Sequence, residues 1–244
     1  MDGPRRLPVM KMLSLPLNRR VLALGSLLLL AACATTAPDA IPEGLVRVKD
    51  TQADLVYVRP GIDFAKYTEF YLIEPTIAFR ADWESDMALP GGGGGMITSS
   101  DIERMKDTGK KLLAEEFDAE LTKGGFTLVK QPGAHALAVK ASIVDIYVTA
   151  PDPSNLAGTW GRTYARSGGS ATLEIELYDS VSGQILARAH DEKVQGEDGW
   201  SWRFQRNQMS NINDARVAFA GWAEMLVNGL KRAKAAKVAA PAKQ

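Results

Sequence analysis

ATLEIELYDSVSGQILARAHDEKV, residues 171–194, decides the fold, because parity alone fixes how this stretch pairs with itself. Two runs of alternating apolar and polar residues flank Asp179–Gly183, a cluster of turn-forming types. A five-residue turn there predicts a β-hairpin. Leu177 then faces Ile185, Ile175 faces Ala187 and Leu173 faces Ala189 on the core side, while Glu176 with Leu186, Glu174 with Arg188 and Thr172 with His190 share the other side. A one-residue slip would mix core and solvent positions throughout. In this register Glu174 and Arg188 form a cross-strand ion pair on a solvated face, worth about 0.2–1 kcal/mol.

Upstream, Leu137 to Val148 reads as a long apolar strand whose alternation (Leu137, Val139, Ala141, Ile143) slips to Ile146 and Val148, predicting a bulge near Val144 or Asp145. Phe126–Val129 is a short strand, joined to it through the Gln131-Pro132-Gly133 turn. Ser100 and Glu103 have capping-box spacing and open a helix with Ile102, Met105, Gly109, Leu112, Leu113, Phe117 and Leu121 on one face, stopped by Gly124-Gly125. Phe70–Ile73 and Thr76–Phe79 read as a strand interrupted by Pro75, hence an edge or a bulge. Leu55–Val58 is a candidate edge strand. Downstream, Asn213 or Asp214 caps a second helix with a buried stripe of Val217, Ala218, Trp222, Met225, Leu226 and Gly229. This order predicts an α+β fold: a mainly antiparallel sheet of four or five strands with two helices packed on one face. The strand before the first helix should meet Phe126–Val129 through a right-handed parallel connection.

The N-terminal end carries a different signal. Five basic residues (Arg5, Arg6, Lys11, Arg19, Arg20) precede Val21–Leu30, apolar apart from Gly25 and Ser26, and the small pair Ala31-Ala32 leads to Cys33. The order resembles bacterial lipoprotein precursors. That resemblance implies cleavage before Cys33 and acylation of its thiol and new amino group. The apolar run is about ten residues where a spanning helix needs roughly 20, which argues against a retained anchor. Ala34, where an Asp would imply retention in the inner membrane, implies by the same resemblance an outer-membrane, periplasm-facing placement. The expected layout is a signal peptide at 1–32, a lipidated tether at 33–50, a single periplasmic domain at 51–232 and a flexible Ala/Lys tail at 233–244.

Without residues 1–32 the chain keeps 212 residues with 24 basic and 28 acidic side chains, a balance that argues against a nucleic-acid partner. Cys33 is the single cysteine, so no disulfide and no Cys-ligated metal can form within the chain. Tyr57-Val58-Arg59-Pro60-Gly61-Ile62-Asp63-Phe64 with Lys66-Tyr67, a strand ending near Glu74-Pro75, Glu174–Ser180 and Ser182–Ala187 together resemble a proteobacterial outer-membrane lipoprotein family known only as a domain of unknown function, over roughly residues 50–230. The resemblance implies an envelope setting and no reaction.

Catalytic patterns are missing from the sequence. His135 and His190 stand without a His or Cys at metal-ligand spacing, and Gly91–Gly95 lacks the strand and Lys-Ser or Lys-Thr of a phosphate loop. Asp145, Asp179 and Asp191 read as bulge, turn and surface residues. The chain is therefore expected to be no enzyme and to hold neither cofactor nor metal. Two long loops should meet at one end of the sheet: Pro151–Gly169 with Trp160, Arg162, Tyr164 and Arg166, and Gly196–Ile212 with Trp200, Trp202, Arg203, Phe204 and Arg206. Their length and their Trp, Tyr and Arg content mark either an interaction surface or a satellite core under the loops. The expected protein is anchored to the membrane by acyl chains on Cys33 and docks an envelope protein or cell-wall polymer. One alternative is a carrier of an apolar ligand between sheet and helices, which needs a cavity of roughly 300 Å³ or more. The other is an envelope hydrolase, which needs a convergent nucleophile and base.

Overall fold

The hairpin forms two residues out of the expected register. Strands β9 (Gly169–Asp179) and β10 (Ile185–Gln195) pair Leu177 with Ala187, Glu176 with Arg188 and Ile175 with Ala189. Two local causes add up. The Asp179 side chain accepts from the N–H groups of Val181 (3.2 Å) and Ser182 (2.9 Å) and from the Ser182 hydroxyl, closing a turn of four residues instead of five. Leu186 is then an extra residue, a bulge between Ile185 and Ala187 with its side chain buried. Because the shift is even, parity survives, and Leu173, Ile175, Leu177 and Ala187 are all buried as the alternation requires. The ion pair moves: Arg188 bonds Glu176 (2.9 Å) and not Glu174.

A computed structural model of the chain describes residues 40–41, 43–88, 97–149, 163–165, 169–195, 204–206 and 208–236. Its further elements are β1 (Ala40–Ile41), β2 (Leu45–Val48), β3 (Leu55–Val58), a 3-10 turn (Phe64–Lys66), β4 (Glu69–Leu72), β5 (Thr76–Phe79), α1 (Ala81–Ala88), α2 (Ser99–Lys123), β6 (Thr127–Val129), β7 (Ala136–Val148), β8 (Thr163–Ala165), β11 (Phe204–Arg206) and α3 (Gln208–Ala235). Among the described residues the main sheet has nine strands in the order β1-β2-β3-β10-β9-β7-β4-β6, with β5 also on β7. The class is α+β and most pairings are antiparallel, but the sheet is larger than four or five strands. β1, β2 and the separate β5 are two to four residues long, too short to show alternation. Strand β3 is internal, between β2 and β10, and not an edge. β1 and β2 fall inside the stretch expected to be a tether; Leu45, fully buried, and the Gly44 turn at φ +74° hold them to the sheet.

β4, β6 and β7 pair in parallel, with α2 as the crossover between β4 and β6. Leu72 and Thr76 are four positions apart while their partners Val139 and Ser142 are three apart, so Pro75 lies in a bulge. The slip in β7 occurs at Asp145, whose φ is +52°, between Val144 and Tyr147. Beyond the bulge, Gly169, paired with Val148, has φ +133°, and a Cβ there would stand 1.8 Å from the Tyr147 carbonyl oxygen, so only glycine fits.

Helix α2 is capped by Thr98 and not by Ser100. Thr98 Oγ1 accepts from the Asp101 N–H (3.2 Å) and the Asp101 carboxylate accepts from the Thr98 N–H (2.9 Å), while Glu103 is exposed. Its Leu112, Leu113, Phe117 and Leu121 join a core cluster with Phe219, Trp222 and Leu226 of α3 and with alternate residues of β7 and β9. Helix α3 begins at Gln208, so Asn213 and Asp214 lie inside it; Val217 is 66% exposed and Phe219 takes the buried place, in phase with Trp222 and Leu226. A short helix absent from the sequence reading, α1, inserts Trp83 against Phe79 and bonds its indole N–H to the Val148 carbonyl (2.8 Å).

One buried carboxyl ties α3 to the sheet. Asp191, on β10, accepts from the Trp222 indole N–H (2.7 Å) and from the Asp54 backbone N–H (3.3 Å), and the Asp54 side chain accepts from the Glu192 N–H (2.9 Å). Asp191 is 7% exposed, not the surface residue its sequence context suggests, because α3 and the segment before β3 both supply donors. The Lys193 ammonium lies 5.0 Å from the Trp222 ring centre, where burial lowers its pKa against the pull of Asp191.

The turn carboxylate gives a pH test. The Ser182 N–H, the Tyr67 hydroxyl (2.8 Å) and the Ser182 hydroxyl hold Asp179 well below the usual carboxylate range. A depressed folded pKa stabilises the fold above the unfolded value of roughly 4, and the contribution is lost as pH falls through the lower folded value. Asp179→Asn should therefore lower the urea midpoint at pH 7 and flatten its decline between pH 4 and pH 2; an acid limb identical to that of the unaltered chain would refute the assignment.

Candidate functional site

Beyond the Trp222 anchor, α3 runs over a wing of the sheet that it does not fill. Ala187 pairs with Val58 and Val58 with Val46; two residues on, Ala189 pairs with Val56 and Val56 with Val48. Strand alternation puts these six side chains on one face, together with Ile175 and Leu177. Across from them α3 presents Met225, Gly229, Ala233 and Ala236, spaced so that they share one side of the helix. Small residues stand on both walls. The result is an open groove of about 740 Å³, walled mainly by apolar side chains. Val46 and Val48 on its outer wall are 44% and 41% exposed, and a Cβ built at Gly229 would meet nothing within 4 Å.

Charge collects at the rim. Arg47, Lys49, Arg59 and Arg232 border the groove, Lys49 and Arg59 at opposite ends of the β2–β3 pair, and Asp50 is the one carboxyl in its lining. Arg59 is held by neutral partners: its Nε donates to the Ile185 carbonyl (2.7 Å) and a terminal nitrogen to the Glu43 carbonyl (2.9 Å). Arg232 reaches the Gln52 side-chain oxygen at 3.5 Å. Arg188 also borders the groove but is engaged by Glu176 and Glu43. The lining includes no His, Cys or Ser, and its single hydroxyl, on Thr51, donates to the Ala53 carbonyl. Such a surface can sequester apolar groups; it offers no nucleophile paired with a base.

The two loops singled out by sequence do meet. β8 and β11 form a separate antiparallel ladder in which Tyr164 faces Gln205 and Arg206 faces Thr163. Cys33, Trp160, Arg162, Arg166, Trp200, Trp202 and Arg203 lie outside the described residues, as do Gly91–Gly95. His135 is exposed and His190 half-buried. Among the described residues no three His, Cys, Asp or Glu side chains come together to hold a metal ion, and no helix is long and apolar enough to cross a membrane. The groove was the element that sequence reasoning missed. Its signal was the four-residue spacing of Met225, Gly229 and Ala233, which reads as a weak stretch of buried stripe until the facing alanines are known.

Comparison with solved structures gives distant likenesses. The chain is similar to a PelC dodecamer from Paraburkholderia phytofirmans (12% identity, 70% of this chain and 95% of that one, TM-score 0.33), to a minor lipoprotein from Acinetobacter baumannii (10%, 68% and 94%, 0.32) and to a putative neuraminyllactose-binding hemagglutinin homolog from Helicobacter pylori (12%, 71% and 86%, 0.34). No curated protein matches. A family model spanning residues 42–226, from β2 through most of α3, does match, and the chain belongs to the family described as "Protein of unknown function (DUF3313)".

Proposed function

We propose that the protein is a lipid-anchored envelope lipoprotein, facing the periplasm from the outer membrane, whose domain binds an apolar ligand and catalyses nothing. The groove carries this reading. Its volume of about 740 Å³ lies inside the range of roughly 300–1,000 Å³ typical of small-molecule sites. It is walled by the sheet on one side and by α3 on the other, as the carrier alternative requires. An unfilled apolar groove forgoes dispersion contacts on both walls, a loss that an apolar guest recovers. The anchor rests on the Ala31-Ala32-Cys33 pattern.

Two measurements test it. Native mass spectrometry of the protein purified without organic solvent should show a retained lipid-sized adduct. Gly229→Leu, which places a side chain into open space and replaces a residue unfavourable in a helix, should keep the circular dichroism spectrum and lose the adduct; an adduct on both forms would remove the groove from consideration. Separately, Cys33→Ser should move the protein out of the sedimented membrane fraction. Persistence of all of it in washed membranes would rule out the acyl anchor.

A second reading is favoured by the β8–β11 ladder, which joins the loops bearing Tyr164 and Arg206. In it the domain docks an envelope protein or cell-wall polymer through Trp160, Arg162, Arg166, Trp200, Trp202 and Arg203 as well. Trp160→Ala with Trp202→Ala should then abolish capture of one defined envelope component by the immobilised protein, and equal capture by both forms would eliminate the loops.

A further inference from the structure

Resting on the groove and acyl-anchor readings above, we infer that the groove takes an acyl chain borne on this protein's own Cys33, so that the domain sheathes its anchor in water and gives it up to a bilayer. The path of the backbone carries the inference. β1 is antiparallel to β2, with Ala40 beside Val46, so β1 traced back towards the N-terminus heads along β2 towards Val48, the outer wall of the groove. That direction is braced. The Gly44 N–H donates to the Ile41 carbonyl (3.0 Å), Arg59 donates to the Glu43 carbonyl (2.9 Å) and the Ile185 carbonyl (2.7 Å), and Arg188 donates to the Glu43 carboxylate (2.9 Å), which together fix the β1–β2 turn against β10. Cys33 stands seven positions before Ala40, so the chain between them spans at most roughly 25 Å. Val46 is the cross-strand partner of Ala40 and Val48 lies two strand positions on, well inside that reach.

The walls suit a guest without a charged head. They are mainly apolar, and Lys49 and Arg59 border opposite ends of the β2–β3 pair, so these two do not form one headgroup site. A hydrocarbon chain whose polar end is a neutral ester or amide on the protein itself asks for no such site. Tethering favours it further: a guest on so short a linker meets the groove at an effective concentration in the millimolar range, whereas a free lipid, its competitor for the same walls, must arrive by diffusion. The other end of the chain is a poorer occupant. Residues 237–244 follow Ala236 of the groove lining and hold Val238 as their one large apolar side chain.

The full-length protein is made in cells fed a photoactivatable fatty acid, which acylation of Cys33 incorporates, then freed of detergent, irradiated and mapped by peptide mass spectrometry. The label should mark Val46–Val48 and Met225–Ala233 of its own chain, and Gly229→Leu should cut that marking about tenfold. Unlabelled protein irradiated with a photoactivatable monoacylglycerol is the comparison. Adducts of the Cys33 label confined to other parts of the chain, with the monoacylglycerol still marking the walls, overturn the tethered occupant and leave the apolar groove standing. Adducts that join two copies, seen as a dimer on a denaturing gel, overturn it as well, because the guest then belongs to a neighbour. A Cys33 that carries no label overturns it by removing the guest, and the monoacylglycerol then tests the groove alone. Walls marked by neither probe overturn both readings.

Discussion

The hydrogen bond from the Trp222 indole to Asp191 sets where α3 lies on the sheet. It joins the largest side chain of the helix to a buried carboxyl of β10, and the same carboxyl reaches the Asp54 backbone at the entry to β3. A buried acceptor left without its donor costs about 1–3 kcal/mol, so α3 can neither rotate nor slide by a turn without penalty. Phe219, stacked near Trp222, and Leu226 then fall into the core by helical phase alone. Everything C-terminal to that point inherits its height above the wing.

Given that height, side-chain size decides whether the wing is filled or hollow. Before the anchor, α2 and α3 meet β7 and β9 through leucine, isoleucine and phenylalanine, and the core is closed. After it, Gly229, Ala233 and Ala236 line the groove with Ala187 and Ala189, while Leu226 and Leu230 between them remain in the core. Small residues on one wall alone would let the other close over them. On both walls, with the helix pinned, they leave volume.

What the sequence made legible was parity and period. The alternation in residues 171–177 named the core face of β9, the slip past Ile143 named the Asp145 bulge, and the Leu112 to Leu121 spacing named the buried face of α2. Where two local solutions compete, sequence could not rank them. Thr98 with Asp101 has the same spacing as Ser100 with Glu103, and only the packing of Asp101 at 5% exposure separates them. The hairpin register turned on the N–H groups that the Asp179 carboxylate gathers and on the bulge at Leu186. Short strands such as β1 and β2 owe their existence to the neighbour they pair with. The groove needed residues near 47, 188 and 230 brought together, a coincidence of topology that no local pattern encodes.

The opposite face of the sheet carries its charges in pairs. There Glu43, Arg188, Glu176 and Lys140 form a continuous chain of opposite charges, with Tyr178 hydrogen-bonded to Glu176. Burial pushes Tyr178 up, to about 12, helped by that bond, while the bonds from Tyr178 and Lys140 outweigh burial at Glu176 and keep it below its ordinary value. Between roughly pH 5 and pH 9, therefore, neither Glu176 nor Tyr178 titrates, and neither side of the wing gains or loses charge through them. The charges of β7, β9 and β10 on that face are thus paired off, while the groove face of β2, β3, β9 and β10 is mainly apolar.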